Sequence, residues 1–149
     1  MSFLKSILDD FFSSITSFGS PIFYILVILV SMKFGVPFYA ELFFALIFVE
    51  IICVLIKLIY KKERPIQQAR DNIYNKIDAN SFPSIHSARI SLIAFTFMLF
   101  YRDLPTIIIA TIVMLCVGYS RIYLKRHHWL DVFAGFFIGI ITSLLIWTF

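Results

Sequence analysis

The sequence predicts an all-α, integral-membrane helical bundle of about six helices, and three observations carry that expectation. Hydrophobic residues make up 60% of the 149-residue chain, mean hydropathy is +0.91, and long apolar stretches recur between short polar breaks. One small soluble core has no room for so much apolar surface, so lipid must be the solvent for much of it. The chain reads as a single domain over 1–149, because no Pro-, Gly- or Ser-rich linker, low-complexity tract or internal repeat divides it.

Residues 1–18 read as an amphipathic helix. Phe3, Leu4, Ile7, Leu8, Phe11, Phe12, Ile15 and Phe18 fall at helical spacing, with Lys5, Ser6, Asp9, Asp10, Ser13 and Ser14 opposite. Two adjacent aspartates are costly in hydrocarbon, so this helix is expected to lie in the interface or to pack its polar face on protein. Five membrane-crossing helices follow. The first, Pro21 to about Gly35, is short and ends where Gly35-Val36-Pro37 turns the chain. The next, 39–63, is long enough at about 1.5 Å per residue to span roughly 37 Å, and Pro65 disfavours helix at Arg64. A polar loop at 66–82 precedes a helix from Pro83 to about Tyr101, and helices at Leu104–Tyr123 and Trp129–Phe149 complete the bundle.

Thirteen Lys and Arg against nine Asp and Glu give a net charge of +4. These cations sit between apolar segments, so anionic headgroups or a phosphorylated substrate are the expected partners, and nucleic acid is not. Cys53 and Cys116 lie within separate apolar runs and read as packed, reduced thiols. No basic region followed by a cleavable apolar stretch opens the chain, so the apolar helices themselves are expected to address it to the membrane.

Following the crossings, three segments bring polar groups to one face of the bundle: Lys57 with Arg64-Pro65, then Pro83-Ser84-Ile85-His86, then Ser120-Arg121 with His127 and Asp131. Phosphoryl transfer works mainly by positioning donors and cations around an in-line attack. Arg64 and Arg121 suit that work because a planar guanidinium holds phosphate oxygens bidentately, and Lys57 adds a point charge two turns before Arg64. The competing role for Lys57 is snorkelling to headgroups. Ser84 and His86 fall in a helix's first turn, where free amides and the helix dipole favour an anion. For Ser84 the competing role is simple N-capping. His127 and Asp131 stand four apart on one helical face, so the carboxylate can hold one ring nitrogen and leave the other for attack on phosphorus. His128 fits that spacing poorly and reads as an interfacial residue beside Trp129. Glu50 in mid-helix must be protonated or paired, and a structural role fits it best. Arg89, three residues after His86, is placed either to reach phosphate or to neutralise an acid such as Asp131.

These segments resemble, in order and spacing, the signature of the type 2 phosphatidic acid phosphatase superfamily: Lys, six residues, Arg-Pro; Pro-Ser-Gly-His; Ser-Arg, five residues, His, three residues, Asp. The resemblance spans residues 57–131. Ile85 stands where that family has glycine, which keeps its backbone amide for phosphate but crowds the approach. The resemblance implies a membrane enzyme, a metal- and cofactor-independent lipid phosphate or diphosphate phosphatase. His127 would be the nucleophile forming a phosphohistidine, Asp131 its orienting partner, and His86 the general acid and then base. Lys57, Arg64, Ser84, the Ile85 amide and Arg121 would hold the phosphate, with Arg89 a possible addition. It also implies kinship with the vanadium haloperoxidases, and so inhibition by orthovanadate.

Two other classes compete with this reading. One is a metal-dependent membrane hydrolase with His86, His127, Asp131 and His128 as ligands, against which three nearby cations would repel a divalent ion. The other is a non-catalytic protein that docks or transports anionic lipid, for which surface lysines would suffice. A polyprenyl diphosphate, phosphatidic acid and phosphatidylglycerol phosphate are all open as substrates, with a lean to the first or to a broad range. Partners are that substrate and membrane lipids, with no obligatory protein. Lys61, Lys62, Arg70, Lys76, Lys125 and Arg126 on the active face against Lys33 and Arg102 opposite favour a cytoplasmic site. Phosphate-binding cations bias that count, and the resemblance more often implies an external site, so the expectation is a cell-membrane protein with an extracytoplasmic active face.

Overall fold

The structure is a computed structural model that describes residues 3–66 and 71–147. Its helices run in the expected order: α1 (Phe3–Ile15), a 3-10 turn (Thr16–Gly19), α2 (Pro21–Lys33), α3 (Tyr39–Ile59), α4 (Ile73–Asp78), α5 (Ile85–Tyr101), α6 (Leu104–Tyr123) and α7 (Trp129–Trp147). Arg70 lies outside the described residues.

Local chemistry sets most of the boundaries. Ser20 caps α2 by accepting the Phe23 amide hydrogen at 3.2 Å, with Pro21 preset in the first turn. Gly35, at φ +67°, lets the chain reverse into α3. Asp103 accepts hydrogen bonds from the Thr106 amide at 2.9 Å and the Thr106 hydroxyl at 2.8 Å, which starts α6. Those two bonds hold the Asp103 carboxyl below its usual range.

Two boundaries differ from the sequence expectation. α3 stops at Ile59 rather than 63, because residues 60–63 are taken up by non-helical pairing: the Lys62 carbonyl accepts the Ser81 amide at 2.7 Å. The polar 66–82 stretch also contains α4, whose cap Asn72 accepts the Asn75 amide at 2.7 Å. A helix of only six residues leaves little periodicity to read.

α3, α6 and α7 are long and apolar enough to cross a membrane. α5, at 17 residues, is shorter. α2 spans only about 20 Å and bends by 56° from the α1 segment. Five full crossings therefore exceed what length alone supports. Residues such as Phe44, Ile59, Leu104 and Phe137 face outward, as a lipid-facing surface requires. α1 buries none of its residues fully, yet it lies on α6: the Phe12 ring packs at a tilt on Tyr123 with centroids 4.5 Å apart, and the Tyr123 hydroxyl donates to Asp9 at 2.8 Å. The aspartate pair is thus partly satisfied by protein.

α5 and α7 form the central pair. A Cβ at Gly135 would sit 2.8 Å from Ser87 Cβ and closer still to the Ser84 carbonyl, and one at Gly139 would strike the Ala88 carbonyl and Ser91 Oγ. Only hydrogen fits there, so the two backbones come into direct contact. That contact sets the Ser84 amide 2.9 Å from the Asp131 carbonyl, tying the second sequence motif to the third.

Candidate active site

Lys57 lies in the last turn of α3 and is 1% exposed. Its ammonium donates to the Asn80 carbonyl, while Asn80 Nδ2 returns a bond to the Lys57 carbonyl at 2.8 Å. Arg64, 8% exposed, reaches α4, donating to the Asp78 carbonyl and lying 3.2 Å from the Asp78 carboxylate. Burial pulls this guanidinium below its usual pKa, and Asp78 opposes the shift. Arg121, 7% exposed at the end of α6, donates from Nη1 to Thr16 Oγ1 at 2.9 Å. Its Nε is buried and has no hydrogen-bond partner among the described residues. A buried donor without an acceptor is costly unless a ligand supplies one. Arg64 and Arg121 share a cavity of about 380 Å³ whose walls also include Ser13, Thr16, Asp78 and Arg126.

His127 sits in the tight connection between α6 and α7. The Arg121 carbonyl accepts the amides of Arg126 at 3.0 Å and His127 at 3.2 Å, and Lys125 takes a left-handed φ of 52° to close the loop. The imidazole is 3% exposed. Its Nδ1 bonds the Ser81 carbonyl at 2.8 Å, whereas the nearest Asp131 oxygen is 3.8 Å away. The expected direct hold by the carboxylate is thus replaced: a backbone carbonyl orients the ring, and Asp131 acts beside it by charge. An Nδ1–H donated to a carbonyl leaves Nε2 with its lone pair free.

Asp131 is fully buried and spends its oxygens elsewhere, accepting from Lys62 Nζ at 2.6 Å, from Ser81 Oγ, and from the His128 amide at 2.8 Å. Ser81 therefore touches both members of the pair. Burial pushes the His127 pKa down to about 4, with Arg121, Arg64 and Lys57 adding to the effect and Asp131 opposing it. The three motif cations thus act on one neutral imidazole.

Ser84 caps α5, its hydroxyl accepting from Ser87 Oγ at 2.9 Å and more weakly from the Ser87 amide at 3.4 Å. The amides of Ile85 and His86 lie in that first turn, where no intrahelical carbonyl precedes them. The Ile85 side chain packs against the apolar cluster around Tyr24, Ala88 and Leu92, so part of its bulk is directed into the core. His86 is half-buried beneath the 3-10 turn: a Cβ at Gly19 would lie 3.0 Å from the His86 ring.

Arg89, one turn after His86 on α5, pairs with a different acid. It donates to Glu50 at 2.5 Å and to the Gly19 carbonyl at 3.1 Å, so of the two roles open to it the neutralising one fits, with Glu50 rather than Asp131 as the acid. Glu50 is paired, as a carboxylate in mid-helix must be. His128 is an exposed residue whose Nδ1 lies 3.4 Å from Asp131. Among the described residues no group of three or more His, Cys, Asp or Glu is gathered closely enough to hold a metal ion. Asp78, Asn80, Ser81 and Thr16 are not singled out by the sequence, and Lys62 enters there only as one of the basic residues of the active face. Asn80 and Ser81 lie within three residues of Pro83, and that adjacency was the one available signal.

A family model described as the PAP2 superfamily matches residues 38–149. The chain belongs to the PAP2 superfamily. Among solved structures it is similar to LpxE of Aquifex aeolicus, with a TM-score of 0.81 and 26% identity over 96% of this chain and 87% of that one. It also shares the fold of a transmembrane PAP2-type phosphatidylglycerolphosphate phosphatase from Bacillus subtilis, with a TM-score of 0.78 and 22% identity over 95% and 75% of the two chains. As a PAP2 protein with apolar helices of spanning length, the chain is an integral-membrane protein, and its membership supports a lipid phosphatase.

Proposed function

We propose that this protein removes phosphate from a lipid phosphate or lipid diphosphate through a phosphohistidine on His127. The observation that carries the reading is that residues 80–84 join the three motifs, the Asn80 carbonyl accepting from Lys57, the Ser81 carbonyl turning the buried His127 ring and the Ser84 amide bonding the Asp131 carbonyl, while Arg64 and Arg121 share one cavity. A neutral ring with Nε2 free is the nucleophilic form. Nε2 attacks phosphorus as the bond to the leaving oxygen breaks, and His86, protonated in the complex with the anionic substrate, delivers that proton to the oxygen. His86 then takes a proton from water as its oxygen attacks the phosphohistidine, releasing inorganic phosphate and restoring His127. Lys57, Arg64, Arg121, the Ser84 turn and the amides of Ile85 and His86 stabilise charge on the equatorial oxygens. No step of this scheme needs a metal.

A polyprenyl diphosphate is the favoured substrate, with phosphatidic acid and phosphatidylglycerol phosphate as alternatives, and the active face is assigned to the extracytoplasmic side of the cell membrane. Phosphate release by the purified chain from farnesyl diphosphate, phosphatidic acid and phosphatidylglycerol phosphate tests the activity and ranks the lipids. His127→Ala should lower turnover roughly a thousandfold or more. Undiminished activity in that variant rejects the mechanism, and loss of wild-type turnover in EDTA transfers the assignment to a metal-dependent hydrolase. A membrane-impermeant thiol reagent applied to intact cells carrying Lys125→Cys reports the side on which the active face lies.

A further inference from the structure

The cavity beside Arg64 and Arg121 has a wall that none of the three sequence motifs supplies. Thr16, in the 3-10 turn between α1 and α2, places its hydroxyl 2.9 Å from Arg121 Nη1 across 105 residues of sequence, and both Thr16 and Ser13 line the cavity. The same turn lies over the other histidine, since the Gly19 backbone is packed on His86 too tightly for any side chain. The Gly19 carbonyl also accepts from Arg89, anchoring the turn to α5. Residues 16–19 precede the stretch 38–149 by which the family is recognised.

Resting on the phosphatase reading, we propose that the N-terminal turn is a working part of the active site, with Thr16 positioning Arg121 and offering its own hydroxyl to the bound phosphoryl group. The chemistry is directional. Arginine only donates, so Thr16 Oγ1 accepts from Nη1 and keeps its own proton for an anion in the cavity. Holding Nη1 also limits rotation of the guanidinium, leaving the buried Nε, which has no partner among the described residues, as a further donor to that anion. Gly19 plays the complementary part, fixing the turn against His86 by close approach.

Thr16→Val keeps the shape and removes the hydroxyl, while Thr16→Ser keeps the hydroxyl. In the full-length protein in detergent, inhibition by orthovanadate, kcat and KM on phosphatidic acid and farnesyl diphosphate, and the thermal midpoint are compared for both variants. Thr16→Val should weaken vanadate inhibition and lower kcat/KM about tenfold at an unchanged midpoint, and Thr16→Ser should recover most of the loss. Thr16→Ala carries the same comparison should valine prevent folding. Wild-type vanadate inhibition and kcat/KM in the valine or alanine variant overturn the inference. So does a loss that follows the thermal midpoint and is not recovered by serine, since Thr16 is then structural. A wild-type chain that neither releases phosphate nor responds to vanadate overturns the phosphatase reading itself, whereas an active wild type with an indifferent Thr16→Val overturns the inference alone.

Discussion

The Ser81 carbonyl oxygen lies 2.8 Å from His127 Nδ1, a full ångström closer than the nearest oxygen of Asp131. Orientation of the imidazole therefore comes from backbone held in place by a side-chain network. Asp131 takes the Ser81 hydroxyl, Lys62 and the His128 amide, and so fixes the strand of chain on which that carbonyl sits. The carboxylate's contribution to the ring is position and field, delivered through Ser81.

Replacing Asp131 and replacing Ser81 should then differ sharply. Ser81→Ala deletes a hydroxyl but keeps the carbonyl, so activity should fall less than tenfold, with about 1–2 kcal/mol lost in stability. Asp131→Ala removes the common acceptor of three donors and the negative charge beside the ring, and should cost about a hundredfold or more in kcat. Steady-state kinetics on both purified variants check this, and equal losses would show that the serine hydroxyl orients the ring.

The acidity of His127 gives a second outcome to measure. An imidazole in water titrates near pH 6.5, whereas burial and the neighbouring Arg121, Arg64 and Lys57 hold this one to about 4. Between those values the unfolded chain binds the extra proton and the folded chain does not, so stability rises with pH across the window and is lost as pH falls from about 6.5 to 4. Nitrogen-15 spectra of histidine-labelled protein, with His127→Gln to assign the signal, should show a neutral ring down to about pH 5. A midpoint near 6.5 would mean that the cations do not share the imidazole's surroundings.

Arg89 and Arg121 are both buried arginines, yet their variants should fail in different ways. Arg89 bonds Glu50 and the Gly19 carbonyl, so Arg89→Ala leaves a carboxylate within the membrane-embedded part of the bundle without its cation. Breaking such a pair costs about 3 kcal/mol of stability. Orthovanadate affinity of the molecules that remain folded should change little. Arg121→Ala should instead spare the thermal midpoint and lose vanadate inhibition. Thermal unfolding and inhibition curves on the same preparations separate the two.

How much of this was legible in advance follows from what side-chain patterns encode. Lys57, Arg121 and Asp131 could be read because they stand in the end turns of helices that show as apolar stretches, whereas Arg64 and His127 lie in the connections just beyond those ends, so their place follows from closeness in sequence and not from a shared helical face. Ser81 and Asn80 could not, because they act through main-chain carbonyls, and every residue has one of those. Lys62 reads from the sequence only as a basic residue of the active face, because a helix continuing to 63 gives no sign of its bond to Asp131. Its extended backbone, paired with Ser81, is what turns the ammonium to Asp131. Thr16 depended on the N-terminal turn folding back onto α6, a contact that local sequence does not specify.

Asp78 supplies the last prediction. Among the described residues it is the one carboxylate lining a cavity that also holds Arg64, Arg121 and Arg126, and it lies 3.2 Å from the Arg64 guanidinium. An incoming phosphate must compete with that carboxylate for the same donor, so in the ligand-free protein Asp78 acts as an internal counter-ion. Asp78→Asn keeps the side-chain shape and removes the charge. The cavity then becomes more positive by one unit, and at an effective dielectric near 20 a charge several ångströms away is felt at the level of a few kcal/mol before solvent screening. Asp78 is 42% exposed, which reduces the effect to roughly a three- to tenfold gain in affinity. Orthovanadate should inhibit Asp78→Asn at correspondingly lower concentration, and KM should fall with kcat little changed. A loss of affinity would instead assign Asp78 to holding Arg64 in its working position, because the neutral amide would then have cost the site a fixed cation.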